Sequence, residues 1–276
     1  MLELLEQLFR QVRAYMHSEH FKGNEVYFQS SEHTTMKFDR EAEDIIIKGL
    51  SESGTVFEVM TEESAICTTG STPTYRIVID PVDGSTNVSR GIMTAVVALA
   101  ILPLDVPINA EQVQWALVGD LYSGTVYQAQ RGGGAYRNGR RCSVSATRTL
   151  EDSIIGMNFD KRDIPTIGRL LMQQPGIGAV RRSGSSAMDI VYVASGAYDA
   201  YVDIGDILTA ESFLASLSIV LEAGGIVSDQ NGKTLRDITN LSEGFSLVVA
   251  GAEELHTALL ERTRNGYGEY KHRIVT

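Results

Sequence analysis

Cysteine is nearly absent. Two cysteines in 276 residues exclude a disulfide framework. Cys67 and Cys142 also lack zinc-ligand spacing, so both are expected to pack as small hydrophobes. Basic charge is scarce too: 24 Lys and Arg stand against 35 Asp and Glu, a formal net charge of −11. That balance argues against nucleic acid or an anionic membrane surface as partner. It leaves room for an anionic small molecule if a metal or a helix N-terminus offsets the charge locally. No run reaches the roughly 18 apolar residues of a membrane span. The longest, AVVALAILPL, is broken by Pro103 and suits a buried strand. Repeats, low-complexity tracts and long linkers are missing. His20, His33, His256 and His272 show no metal-ligand spacing. The GGG run at 132–134 is not a nucleotide fingerprint, since it neither follows a clear strand nor opens a helix at G-x-G-x-x-G spacing.

What remains is an ordinary globular composition, 43% hydrophobic and 21% charged, long enough for a sizeable core. The first residues, MLELLEQLFRQVRAYM, read as an amphipathic helix with Leu2, Leu5, Leu8 and Val12 on one face, not as a signal peptide. A cytoplasmic protein is the expectation. KFDREAEDIIIKGL predicts a second helix. VFEVM, YRIVID, TAVVALAIL, QWALVGDL and TVYQAQ predict strands. The second half alternates strands with helices, among them one over SGSSAMDIVYVASG and one running unbroken through TAESFLASLSIVLEAGG. An N-terminal α+β half (1–145) and a C-terminal α/β half (146–276) are predicted, sharing one core face across a soft boundary.

Chemistry concentrates in DPVDGSTN, residues 80–87. Asp80 and Asp83 end an apolar strand, and Glu62 and Glu63 end the one before it. Carboxylates brought together raise one another's pKa unless a cation sits between them. The pattern therefore points either to hard divalent metals or to an acid/base pair. Gly84 allows close backbone approach. Free N–H groups of the turn suit phosphate oxygens, and the Ser85 hydroxyl suits a water. The same eight residues also spell a capped turn, because Asp and Ser cap helices and Pro-x-Asp-Gly is a common turn.

DPVDGSTN resembles the D-P-[I/V]-D-G-[T/S]-x-N signature of the inositol monophosphatase family, the Mg²⁺-dependent, lithium-sensitive phosphatases that include fructose-1,6-bisphosphatase. TEES (61–64), KFDREAE (37–43), GTVYQAQRGGGAYRNGRRCSVS, RRSGSSAMDIVYVASGAYDAYVD and LEAGG (221–225) resemble the family's other segments, in order and over nearly the whole length. The resemblance implies a layered αβαβα sandwich of mixed α+β and α/β character. It also implies in-line attack of an activated water on a phosphate monoester, inositol 1-phosphate first. Fructose 1,6-bisphosphate and 3′-phosphoadenosine 5′-phosphate are the rival substrates. By the same resemblance, Glu62, Asp80 and the Val82 carbonyl hold one Mg²⁺, and Asp80 and Asp83 a second. Glu62 and Ser85 activate water, with Asp39 holding the Ser85 hydroxyl. Gly84, Ser85 and Thr86 cradle phosphate, Ser185 and Ser186 lie near the substrate's hydroxyls, and the protein is a homodimer.

Two departures stand out. The family's last motif carries a metal-ligating Asp twelve residues before the first glycine of E-A-G-G, and here that residue is Ser212. Glu211 is adjacent, but one residue along an α-helix turns a side chain by about 100°, so it reaches the metal only if the helix start shifts. Asp206 is another candidate substitute. If none serves, the chain is a degenerate, phosphate-binding or regulatory relative. Secondly, Gly205 stands where archaeal-type members carry an Arg expected to hold a sugar phosphate, which weakens the case for fructose 1,6-bisphosphate.

Overall fold

A computed structural model describes residues 1–29, 34–62, 64–162 and 164–271. Glu63, His33 and His272 lie outside them. Helix α1 (Leu2–Met16) leads into a hairpin of β1 (Val26–Gln29) and β2 (Thr34–Met36), followed by α2 (Lys37–Glu52). Eight strands then form the first sheet: β3 (Phe57–Thr61), β4 (Cys67–Thr68), β5 (Tyr75–Asp83), β6 (Val96–Pro103), β7 (Trp115–Asp120), β8 (Val126–Gln130), β9 (Gly134–Arg137) and β10 (Arg140–Cys142). A single helical turn, α3 (Ser85–Ser89), interrupts the run after β5. The second sheet holds β11 (Ile154–Asn158), β12 (Ala179–Arg181), β13 (Ala200–Leu208), β14 (Ile226–Ser228) and β15 (Phe245–Ala250). Its helices are α4 (Ile164–Met172), α5 (Ser186–Ala194), α6 (Leu214–Glu222) and α7 (Glu253–Lys271).

Three apolar clusters stack these elements into five layers, in the order helix, sheet, helix, sheet, helix. Leu5, Leu8 and Val12 of α1 join Phe38, Ile46 and Leu50 of α2 and the Ile77 and Ile79 side of the first sheet. Each such buried side chain contributes about 1.5–3 kcal/mol. Val78 and Met60, on the opposite side of that sheet, pack with α5, α6 and the near face of the second sheet. Ile155 and Val202 on its far face meet Ile167 and Leu170 of α4 and Leu255 and Leu259 of α7.

The period of two along a strand fixes which way the acids point. Asp80 follows Val78 and projects toward the α5/α6 layer, away from Ile77 and Ile79. In β3, Thr61 pairs with Ile79 in parallel register, so Glu62, one residue on, stands level with Asp80. The β5–β6 register shifts between Asp80 and Asp83, letting Pro81 and Val82 bulge and bringing the second aspartate to the same end of the strand.

One predicted element is corrected. The helix expected to run unbroken through TAESFLASLSIVLEAGG is split: a 3₁₀ turn covers Ala210–Ser212, and α6 begins only at Leu214. Phe213 sits between them, buried edge-on against Phe245 at 5.2 Å between ring centroids. Anchoring that ring in the core sets the chain direction there.

The glycine run is pinned rather than loose. The Glu222 carboxylate at the end of α6 accepts from the Gly132 N–H at 2.7 Å and the Gly134 N–H at 2.8 Å. Glu222→Ala is expected to cost about 1.5–3 kcal/mol, the range for hydrogen bonds to a charged group. A lower urea midpoint with an unchanged m-value is the result to look for.

Candidate active site

The end of β5 and the start of α3 form the centre of the site. Gly84 adopts a left-handed φ of 110°, and a Cβ there would lie 2.9 Å from the Thr94 carbonyl, so only glycine fits. This turn sets Ser85 at the first position of α3. Ser85 Oγ lies 2.6 Å from Asp39 Oδ1 and 2.8 Å from the Val82 carbonyl. Asp39 is buried at the start of α2, where its other oxygen accepts the Met36 N–H at 3.0 Å. A carboxylate at that helix end is favoured by the helix dipole. Two elements 46 residues apart are thus tied through one hydroxyl. Thr86, beside it, is exposed.

Asp80 is buried, and its Oδ2 accepts the Ser212 hydroxyl at 3.1 Å. Burial, with Asp83, Glu62 and Glu211 close by, holds its carboxyl well above the usual carboxylate range. Asp83 sits at the N-terminus of α5, where its Oδ2 accepts the Ser185 hydroxyl at 2.8 Å and the Ala187 N–H at 2.6 Å. Burial outweighs those two bonds and pushes its pKa up to about 7. Glu62 is exposed at the rim, near enough to raise both aspartates. Glu211 is buried in the 3₁₀ turn, and desolvation moves its pKa up to about 7.

Ser185 and Ser186, expected beside a substrate's hydroxyls, are engaged within the protein. Ser185 is fully enclosed, caps α5 and binds Asp83. Ser186, the first residue of α5, lies near enough to the buried Tyr201 phenol to act on its ionisation. Asp206 is occupied elsewhere: its Oδ1 accepts the Ser246 hydroxyl at 2.7 Å. Asn87, the last residue of DPVDGSTN, has a role its sequence did not signal. Its buried amide donates to the Thr94 and Ser183 carbonyls, both at 2.9 Å, and so ties α3 to the loop before α5.

Gly205 leaves room for an arginine from elsewhere in the chain. Arg162 crosses it to form a two-pronged pair with Asp203, both contacts 2.7 Å, entirely buried. At Gly205 φ is 141°, and a Cβ would lie 3.0 Å from Arg162 Cδ. Gly205→Ala is expected to cost about 1–3 kcal/mol through backbone strain and displacement of that pair. A fall in thermal midpoint relative to the wild type is the corresponding measurement.

The donor set around Asp80 is all oxygen, which suits a hard divalent cation. Among the described residues, no three acidic, His or Cys side chains close into a ready-made cage. Mg²⁺ is typically held by one or two carboxylates plus water and substrate phosphate. One carboxylate oxygen, Glu211 Oε2, is buried without a hydrogen-bond partner among the described residues. Neighbouring carboxyls of this kind repel one another, and either bound protons or a cation relieves the repulsion.

The model of the inositol monophosphatase family matches residues 2–266. The chain belongs to the inositol monophosphatase family. It is 34% identical over 233 residues to an inositol-1-monophosphatase of Mesorhizobium japonicum, covering 82% of this chain and 81% of that one. It is 29% identical over 272 residues to a fructose-1,6-bisphosphatase/inositol-1-monophosphatase of Methanothermobacter thermautotrophicus, covering 94% of each. Among solved structures, the extragenic suppressor protein suhB of Bartonella henselae superposes with a TM-score of 0.78 at 28% identity, over 96% of this chain and 97% of that one. This membership makes the protein a phosphoric monoester hydrolase of a metal-dependent family whose substrates are phosphate monoesters. No helix among the described residues is long and apolar enough to cross a membrane.

Proposed function

We propose that this phosphatase hydrolyses small polyol and sugar monophosphates, inositol 1-phosphate first, with Mg²⁺ as its cofactor. The observation that carries this reading is the 2.6 Å Ser85–Asp39 contact beside Asp80 and Asp83. A hydroxyl has a single proton. The charged Asp39 takes it in preference to the Val82 carbonyl, because a charged acceptor makes the stronger bond. The lone pairs of Ser85 Oγ are then free to accept a hydrogen bond from a water and orient it. Glu62, exposed at the rim and level with Asp80, is the base that takes a proton from that water as it attacks. The backbone N–H groups of Gly84, Ser85 and Thr86 lie at a helical start without intrahelical partners and bind phosphate oxygens. Glu62, Asp80, the Val82 carbonyl and Asp83 hold the cation. When bound, Mg²⁺ supplies charge neutralisation at the phosphate and a more acidic water.

The buried commitment of Arg162 to Asp203 favours a single phosphate on a neutral polyol. A bisphosphate needs a second cationic anchor, and this guanidinium beside Gly205 is already paired. The test is phosphate release from inositol 1-phosphate with and without Mg²⁺, and with Asp83→Asn. Mg²⁺-dependent turnover abolished in the variant is expected. Turnover without metal, or an unaffected variant, overturns the reading.

A further inference from the structure

We infer that Asn87 is a positioning residue of the reaction: with Ser185 it fixes the turn at residues 83–87 from both ends, through one short segment at residues 183–185. That role rests on the reading above, in which this turn aligns phosphate and water.

The turn has little stiffness of its own. It leaves β5 at Asp83, passes the left-handed Gly84 and continues into α3, a helix of only five residues. So short a helix lacks cooperative stability, and its shape comes from what packs on it. Both ends meet the same three residues. At one end Asp83 Oδ2 accepts the Ser185 hydroxyl at 2.8 Å. At the other, Asn87 Nδ2 donates to the Ser183 carbonyl at 2.9 Å. Ser183 and Ser185 are tied to each other twice. The Ser183 hydroxyl donates to the Ser185 carbonyl at 3.0 Å and accepts the Ser185 N–H at 3.1 Å. The segment is thus a closed bracket with one foot on Asp83 and one on Asn87. Asp189 of α5 anchors it from behind, its Oδ2 accepting the Ser183 N–H at 3.1 Å. Both donors on Asp83, the Ser185 hydroxyl and the Ala187 N–H, sit on Oδ2, so the bracket helps decide how that carboxylate faces.

Asn87 also sets the floor of the turn. Its amide donates at 2.9 Å to the Thr94 carbonyl, the group that lies 2.9 Å from where a Gly84 Cβ would be. One buried amide therefore fixes both the foot of the bracket and the surface under Gly84. The arrangement needs two protons on a short side chain: Asp has the shape but no donor, and Ser has a single proton. Gly184 completes the fit. Its φ is 84°, and a Cβ there would lie 2.8 Å from Asn87 Oδ1, so bracket and amide meet only across a glycine. With its donors spent inside the protein, Asn87 acts through the turn and not on the substrate.

The test is steady-state hydrolysis of inositol 1-phosphate in saturating Mg²⁺, with thermal melts, for Asn87→Ala, Ser185→Ala and the double variant. Each single variant is expected to lower kcat about 10²-fold, the cost of misplacing reacting groups by about 1 Å. KM is expected to change by less than about 3-fold, because alignment is lost and not the charge that binds. The double variant is expected to lose scarcely more than either single one, since freeing one foot frees the bracket. Gly184→Ala disturbs the bracket without altering either foot. It is expected to lower kcat alike, with no further loss on adding Ser185→Ala, and it carries the test if Asn87→Ala does not fold. Losses that multiply, to about 10⁴-fold in either double variant, would make the contacts independent and overturn the inference. A lower thermal midpoint with kcat unchanged overturns it too, leaving Asn87 a purely structural residue. Asp83→Asn is the reference. If Asp83→Asn turns over like the wild type, or the wild type does not turn over, the reading of the site fails. If Asp83→Asn is inactive while Asn87→Ala keeps the wild-type kcat, the site stands and Asn87 does not position it.

Discussion

Asp80→Asn is expected to lower kcat/KM toward inositol 1-phosphate by about 10³-fold while making the metal-free protein more stable. The two effects share one cause. Asp80 is buried, its carboxyl is held well above the ordinary range, and Asp83 and Glu62 repel its charge. The amide retains an oxygen to accept the Ser212 hydroxyl, which lies 3.1 Å from Asp80 Oδ2. Removing the carboxyl relieves repulsion and desolvation, a gain of about 0.5–2 kcal/mol by the usual size of such exchanges at functional sites. It also removes a carboxylate placed in the proposed cation site. The pair of measurements is a steady-state assay in Mg²⁺ and urea unfolding in EDTA. A variant that loses activity and is also less stable in EDTA would make Asp80 a structural residue. Loss of activity with gain of stability identifies a carboxylate retained against the interests of the fold.

Most of the helices and strands were legible because their signals are local, whereas the layered stacking was expected from the family resemblance. YRIVI is apolar on both faces, so it predicts a buried strand without saying which face is inner; the packing of Val78 and Met60 opposite Ile77 and Val59 settles that for Asp80. Leu5, Leu8 and Val12 recur at helical spacing and do meet α2 and the sheet. The hairpin of β1 and β2 escaped, since VYFQ and TTM are too short to show a period. The break before α6 escaped for another reason. No glycine or proline marks it; a buried contact between Phe213 and Phe245, 32 residues away in the chain, decides it.

The same division holds at the site. Asp80, Asp83, Gly84 and Ser85 lie within six residues, and their proximity could be read directly. The approach of Asp39 to Ser85 could be expected only from the family resemblance, because no local rule joins α2 to α3. The engagement of Ser185 with Asp83 depends on how α5 docks against β5, which a helix-capping pattern does not specify. Glu222 looked like a helix-end residue, yet its partners are two N–H groups some ninety residues earlier. Hydrogen-bond partners between distant elements are set by packing and are the part a single sequence hides.

Without metal, this protein is expected to lose stability as pH rises from about 4 to 7, and Mg²⁺ is expected to cancel the loss. The ordinary carboxyl pKa of Asp and Glu lies near 4. Asp83 and Glu211 are pushed up to about 7 in the folded chain by burial, and Asp80 is raised as well. The folded state therefore holds protons that the unfolded chain has released in this window. Their stabilising contribution is complete below about pH 4 and is lost as pH climbs through 7. Cation binding requires the opposite protonation state, because the ligating carboxylates must be ionised. Mg²⁺ thus binds weakly at pH 5 and tightly at pH 8, and its stabilisation grows as RT ln(1 + [L]/Kd) over the same range. Thermal melts in EDTA and in saturating Mg²⁺, at steps from pH 5 to 8, should give midpoints that diverge with rising pH. Acid activity should fall on a limb near 7, where the buried carboxyls take up protons. Midpoints that run parallel across the range would mean that the cation does not compete with these protons. The charge cluster would then be stabilised by something other than metal.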